Sequence, residues 1–168
     1  MTLSLNREFA LRHLFVAVLM FGMGCWFGYD GYVGYPSKTP AELYYEIEKA
    51  EPPSEEAARK VYDNAIPRQK QFMALAFLAS LLVGGHLFAV SRLRFTFDDG
   101  GFDWKGRRYA YSDVAGVDAR KWDKKGIVRL FLRGGATLTL DAWHHVGVKD
   151  FYAKLPRKTD AKPDQGAA

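Results

Sequence analysis

Hydrophobic residues in this chain fall into two unbroken runs and then into short alternations, and that change of period marks out the regions. Residues 14–29 read LFVAVLMFGMGCWFGY, and residues 72–91 read FMALAFLASLLVGGHLFAVS without a formal charge. At a rise of about 1.5 Å per residue, a helix of some twenty residues covers the roughly 30 Å hydrocarbon core of a bilayer. The second run therefore predicts a spanning helix over 71–91. The first is shorter, but Arg12 and His13 can snorkel to one interface while Trp26, Tyr29 and Tyr32 sit at the other, so it predicts a span over 14–29.

Between the runs, residues 30–70 carry helix punctuation. Thr39, Pro40 and Glu42 have the spacing of an N-cap, a first-turn proline and the acidic third residue of a capping box, predicting a helix through AELYYEIEKA. Pro52 and Pro53 break it, and Ser54 caps a second segment in which Ala58, Val61, Tyr62 and Ala65 share a face. Pro67 is expected to start the helix that becomes the second span. Upstream, GYDGYVGYP predicts glycine-flexed turns carrying Tyr29, Tyr32 and Tyr35 at headgroup level.

From Arg92 the period drops to two. Leu93, Phe95 and Phe97 alternate with polar residues, DDGG predicts a turn, and Phe102 and Trp104 share a face beyond it. Tyr109, Tyr111, Val114 and Val117 continue the apolar set, and IVRLFL meets ATLTLDAW across Arg133, Gly134 and Gly135 in a second hairpin. Val148, Phe151, Tyr152 and Leu155 then return to helical spacing. The expected fold is an α+β membrane protein: a two-helix transmembrane hairpin, then a small antiparallel β-meander or partial barrel over 92–156 closed by a C-terminal helix. Residues 1–13 form an N-terminal segment, 30–70 an exported connector, and 157–168, which lack apolar side chains apart from alanine, a disordered tail.

Charge sets an orientation. Arg7 and Arg12 precede the first run and Arg92 and Arg94 follow the second, so both termini are expected on the cytoplasmic side, although Arg68 and Lys70 also abut the second run. The net charge of +5 is concentrated after residue 90, with 16 Lys+Arg against 10 Asp+Glu. The basic tail and flanks account for this excess without nucleic acid as a partner. A single cysteine, Cys25, excludes an internal disulfide and a cysteine-based zinc cluster. The charged start followed by an apolar run also fits a secretory signal with Cys25 acylated. The stretch before Cys25 lacks the usual leucine three residues upstream, and the apolar run carries on through Trp26 and Phe27, so an uncleaved anchor is the expectation.

Two sets of residues are candidate contacts. Gly24 and Gly28 in the first run, and Ala76, Ser80 and Gly84 in the second, recur at four-residue spacing and allow close helix packing, within the hairpin or against a second copy or partner helix. Arg120, Lys121, Lys124 and Lys125 gather around Trp122, either as a loop docking on anionic headgroups or as a solvated hairpin end with Trp122 folded back on the sheet. Arg107 and Arg108 could join this patch, diluted by Asp98, Asp99, Asp103 and Asp123. His144 and His145 are adjacent, a spacing that sends their side chains apart and gives poor geometry for a shared metal. His86 falls inside an apolar run, where ionisable groups are costly and often functional; a bond across the hairpin, near Ser80 or to a backbone carbonyl, is the simpler expectation. Asp113 and Asp118, near Tyr109 and Tyr111, read as turn and strand-edge hydrogen-bonding groups. No phosphate loop, nucleophile elbow or HExxH helix occurs, and no catalytic residue, cofactor or metal is expected.

The stretch FTFDDGGFDWKGRRYAYSDVAGVDARKWDKKGIVRLFLRGGATLTLDAWHHVGVKDFYAKL, following a membrane hairpin, resembles the bacterial pleckstrin-homology-like membrane proteins over residues 92–155. It is shorter than a full pleckstrin-homology domain, so one or two strands are expected to be missing or very short. The resemblance implies a noncatalytic binding or scaffolding module in the bacterial inner membrane, recruiting a protein partner or a second copy at the bilayer. Direct docking on anionic lipid headgroups, or an accessory role in a transporter or membrane enzyme, are the alternatives.

Overall fold

The structure, a computed structural model, describes residues 1–155; the tail expected to be disordered, 157–168, lies outside them. The protein is α+β, with two long apolar helices and antiparallel sheets. Its described residues divide into two compact units, Arg12–Leu87 and a second made of Met1–Leu11 with the chain from Phe88 to Leu155.

The helical unit is built on α1 (Arg7–Tyr29) and α3 (Glu55–Ser91), both long and apolar enough to cross a membrane. Within the unit, small residues let them approach. A Cβ on Gly24 would lie 2.7 Å from the Phe77 ring, and one on Gly28 3.1 Å from the sulfur of Met73. The Ser80 hydroxyl donates to the Ala17 carbonyl at 2.8 Å and Ala76 is buried, so three of the five predicted packing residues meet the opposite helix directly and a fourth is buried. Gly84 does not: nothing lies within 4 Å of its Cβ position.

Between these helices, the expected glycine turns are instead a helical continuation. Residues Asp30–Gly34 widen into a π turn, closed by Tyr35 N–H donating to the Asp30 carbonyl at 2.9 Å. The helix α2 (Pro40–Glu48) opens on the predicted capping box, with Thr39 Oγ1 accepting from Glu42 N–H and the Glu42 carboxylate accepting from Thr39 N–H. It ends at Lys49, whose φ of 56° is left-handed. Ser54 caps the next helix through Ala57 N–H at 3.1 Å. Pro67 starts no new helix, contrary to expectation; α3 runs through it for 37 residues, about 56 Å at the usual rise. A proline removes one backbone donor, and uninterrupted helical sequence on both sides carries the helix past that loss.

The second unit begins at the N-terminus. There β1 (Ser4–Leu5) pairs with β8 (His145–Val146), while Thr2 bridges Thr96. The strands β2 (Phe95–Asp98), β3 (Gly101–Trp104) and β4 (Arg107–Tyr109) form one antiparallel sheet, and β5 (Val114–Lys121), β6 (Ile127–Leu132) and β7 (Thr137–Asp141) another. The predicted turns are present: the β6–β7 connection uses Gly134 and Gly135 at φ of 97° and 85°, which glycine alone adopts cheaply. Val114 and Val117 are three apart yet both buried, because a bulge between Val114 and Gly116 returns the strand to the same face. The helix α5 (Val148–Lys154) places Phe151 edge-on against Phe95, Phe97 and Phe102. Leu3 joins this core at 4% exposure.

The expected separate segment 1–13 is thus, for its first eleven residues, part of the β unit. Leu3 N–H donates to the Phe95 carbonyl at 3.0 Å, Phe97 N–H to the Met1 carbonyl at 2.7 Å, and Asn6 N–H to the His144 carbonyl at 2.8 Å. A strand with one free edge leaves donors and acceptors unpaired; here the chain's first residues cover β2 and reach β8.

Removing buried methyl groups from Leu3 should therefore destabilise a domain distant in sequence. Leu3→Ala is expected to cost about 2–5 kcal/mol in denaturant unfolding of the β unit, against about 0.5 kcal/mol for the exposed Ser4→Ala. Equal, small effects would contradict the pairing. For the helices, Gly24→Ala is expected to lower thermal stability by the equivalent of about 1–3 kcal/mol, because the Phe77 ring must move. Gly84→Ala should leave it unchanged or slightly raised.

Candidate functional site

The basic cluster anticipated around Trp122 forms at one end of the second sheet. A single helical turn, α4 (Trp122–Lys125), follows β5 and is closed by Gly126 at φ 67°, whose N–H donates to the Trp122 carbonyl at 2.7 Å. Lys121 lies opposite Ile127, and Ile127 opposite Asp141, so the turn sits at the sheet end where β7 finishes. Ala142 N–H donates to the Gly126 carbonyl at 2.9 Å, tying the chain beyond β7 to the basic turn.

The five residues play different parts. Trp122 is half-buried, stacked on Tyr152 at 4.0 Å between ring centroids, which fixes α4 against α5 and turns the indole away from solvent. Arg120 grips Asp118 through Nε at 2.9 Å and a terminal nitrogen at 2.7 Å. The guanidinium holds the Asp118 carboxyl far below its usual range. Lys121, Lys124 and Lys125 are exposed, and none has an ion-pair partner among the described residues. The turn therefore offers three lysine ammonium groups, with Arg120 largely neutralised and Trp122 serving as its internal fastening.

Arg108 does not extend this patch. It bridges Asp98 at 2.5 Å and Asp103 at 2.9 Å, and Asp103 also accepts from the Thr96 hydroxyl at 3.0 Å. Beside the Arg108 guanidinium the Asp98 carboxyl is held below its ordinary value. Lys154 pairs with Asp99, fastening α5 to the β2–β3 turn. Arg107 lies over the Tyr109 ring, its guanidinium carbon 5.5 Å from the centroid. The carboxylates Asp113 and Asp118 are engaged in local bonds, Asp113 accepting from Ala110 N–H at 2.9 Å. Tyr111 donates to the Asp98 carbonyl at 2.7 Å, and partial burial raises its phenol pKa.

The histidines separate into two places. His144 packs its ring 4.5 Å from that of Phe9, while His145 is buried at 6% exposure with Nε2 3.2 Å from the Val90 carbonyl. His86 in α3 lies beside His13 in α1, ring centroids 5.9 Å apart, rather than at Ser80, whose hydroxyl is committed to Ala17. Among the described residues no group of three His, Cys, Asp or Glu is arranged to hold a metal.

The sequence pattern marks residues 141–146 only as the end of an alternating strand and a histidine pair, not as a surface. Trp143 and Val146 are exposed on a segment that otherwise bonds inward at Asn6, Val90 and Gly126. No local periodicity marks an exposed aromatic in a loop; the only clue in sequence is an apolar pair flanking the two histidines directly after an alternating strand. No protein-family model, no curated protein and no solved structure matches the chain.

His145 gives this site a pH dependence. Burial is the main cause of its lowered pKa, opposed by the Val90 carbonyl and the Asp141 charge. The unfolded chain, with an ordinary histidine pKa near 6.5, takes up its proton first. The stability of the β unit is therefore expected to be full above about pH 6.5 and to be lost as pH falls through the lower folded-state value. His145→Gln should flatten that part of a stability profile recorded from about pH 8 to about pH 5. An unchanged slope would place the titration elsewhere.

Proposed function

We propose that this protein is a membrane-anchored, noncatalytic binding module. Its two long helices span the bacterial inner membrane as a hairpin, and its β unit is a cytoplasmic pleckstrin-homology-like domain that recruits a protein partner there. The outward placement of apolar side chains supports the spanning role. Only 11% of the most apolar window of the first helix and 6% of the second is buried by protein, with Phe15, Trp26 and Leu81 among the exposed groups. Apolar faces of this extent in water would be an aggregation hazard, whereas lipid covers them.

The observation that carries the reading is the shared domain at the two helix roots. Met1–Leu11 and the chain from Phe88 form one unit, so a spanning hairpin returns to the side from which it left, as an even number of spans requires. Arg7, Arg12, Arg92 and Arg94 then favour the cytoplasmic side for that unit. The pleckstrin-homology-like reading gains from the same segment. Met1–Leu3 runs antiparallel along the open edge of β2, through the Thr2–Thr96 bridge and its flanking backbone bonds, and so adds N-terminal backbone to the set of short strands and α5 that residues 92–155 supply. A domain with two covalent roots sits close to the bilayer at high effective concentration, which suits recruitment.

Cysteines introduced singly, with Cys25→Ser, test the topology. A membrane-impermeant maleimide applied to intact spheroplasts is expected to label Tyr44→Cys in the connector and to label Lys154→Cys only after permeabilisation; the reverse pattern would refute the orientation. For recruitment, a photo-crosslinking residue at Ala115, exposed on edge strand β5, is expected to capture one protein at near-stoichiometric yield in the native membrane. Absence of any protein adduct there would contradict the scaffold role.

A further inference from the structure

The β unit distributes its exposed apolar groups unevenly. Among its described residues the large exposed hydrophobics are Met1, Leu11, Phe88, Trp143 and Val146. Two of these, Leu11 and Phe88, lie where the chain leaves for α1 and returns from α3. Two more belong to residues 141–146, and that segment is bonded to both helix roots. Its His144 carbonyl accepts from Asn6 N–H at 2.8 Å, immediately before α1, and His145 Nε2 lies 3.2 Å from the carbonyl of Val90 in the last turn of α3. Val146 pairs with Ser4, two residues from Asn6. The same segment joins the basic turn through the Ala142 to Gly126 bond at 2.9 Å.

We infer that the surface formed by Trp143, Val146 and the lysines of α4 and Lys121 docks on the anionic headgroups of the bilayer into which the hairpin is inserted. The inference rests on the spanning reading of α1 and α3. Trp143 is 41% exposed and Val146 58%, positions in which a tryptophan and an aliphatic group gain by entering the interfacial layer. Three exposed lysines, with no ion-pair partner among the described residues, supply charge complementary to an anionic leaflet, which attracts juxtamembrane basic residues over about a Debye length. The bonds at Asn6 and Val90 join the segment that carries Trp143 and Val146 to the residues where the chain enters α1 and leaves α3. The occupant is lipid because the patch adjoins the helix roots, where headgroups lie. Trp143, not the inward-turned Trp122, is the anchoring indole.

Spin labels on single cysteines test this in the full-length Cys25→Ser protein, reconstituted in nanodiscs of phosphatidylethanolamine and phosphatidylglycerol. The reading is the collision ratio of lipid-soluble oxygen to a water-soluble nickel chelate. Leu81→Cys, on the outward face of α3, reports whether the hairpin spans; Arg133→Cys, at the opposite end of β6 from the basic turn, gives the aqueous value. Trp143→Cys and Val146→Cys are expected to give ratios several-fold above that of Arg133→Cys and below that of Leu81→Cys. Substituting Lys121, Lys124 and Lys125 by Gln should bring both toward the aqueous value. An aqueous value at Trp143→Cys and Val146→Cys with Leu81→Cys in lipid overturns the docking surface alone. An aqueous value at Leu81→Cys overturns the spanning reading and the docking with it. Ratios unmoved by the lysine substitutions overturn the choice of an anionic surface.

Discussion

Backbone pairing between the first residues of the chain and strands from its other end is the constraint on which the remaining architecture depends. Met1 exchanges hydrogen bonds with Phe97, Leu3 N–H donates to the Phe95 carbonyl, and Ser4 and Leu5 lie opposite Val146 and His145. These contacts put Leu3 among the phenylalanines of the core and leave Asn6 bonded to His144, so that α1 starts from the domain itself. A helix that starts from this domain and a second that ends in it have their roots on one body. Within the helical unit, Gly24, Gly28 and Ser80 each meet the opposite helix directly.

His145 is the second fastening. Its imidazole is buried, and the bond it makes to the Val90 carbonyl links β8 to the last turn of α3. The strand that receives the N-terminus thus also receives the end of the second long helix. Around this joint, ion pairs hold the rest of the domain without entering the core: Arg108 spans Asp98 and Asp103, and Lys154 reaches Asp99. Such exposed pairs contribute little individually; the aromatic packing of Phe95, Phe97, Phe102 and Phe151 carries the larger share of stabilisation.

Much of this was legible from residues alone wherever the signal was local. The two apolar runs, the Thr39 capping box, the Gly134–Gly135 turn and the Val148 to Leu155 periodicity each sit within a few residues of the structure they specify. What stayed hidden is non-local. Leu3 and Leu5 offer one alternation over two-residue strands, too short to separate from coil, and their partners lie near the far end of the chain. Pro67 carries a strong boundary signal that the flanking helix overrides. Among the candidate contact residues, the lysine cluster could be found by counting charges. The inward turn of Trp122 depends on Tyr152, thirty residues later, and the exposure of Trp143 on bonds to three separate segments, neither of which a one-dimensional pattern contains.

The central claim is that the N-terminal segment belongs structurally to the C-terminal domain, and amide hydrogen exchange on the full-length protein in lipid nanodiscs tests it most directly. The amides of Leu3, Asn6 and Phe97, which donate to Phe95, His144 and Met1, should exchange as slowly as those of Val128 and Leu130 in the buried strand β6. Exchange of Leu3 and Asn6 at the rate of an unstructured chain, with Val128 and Leu130 still protected, would contradict it.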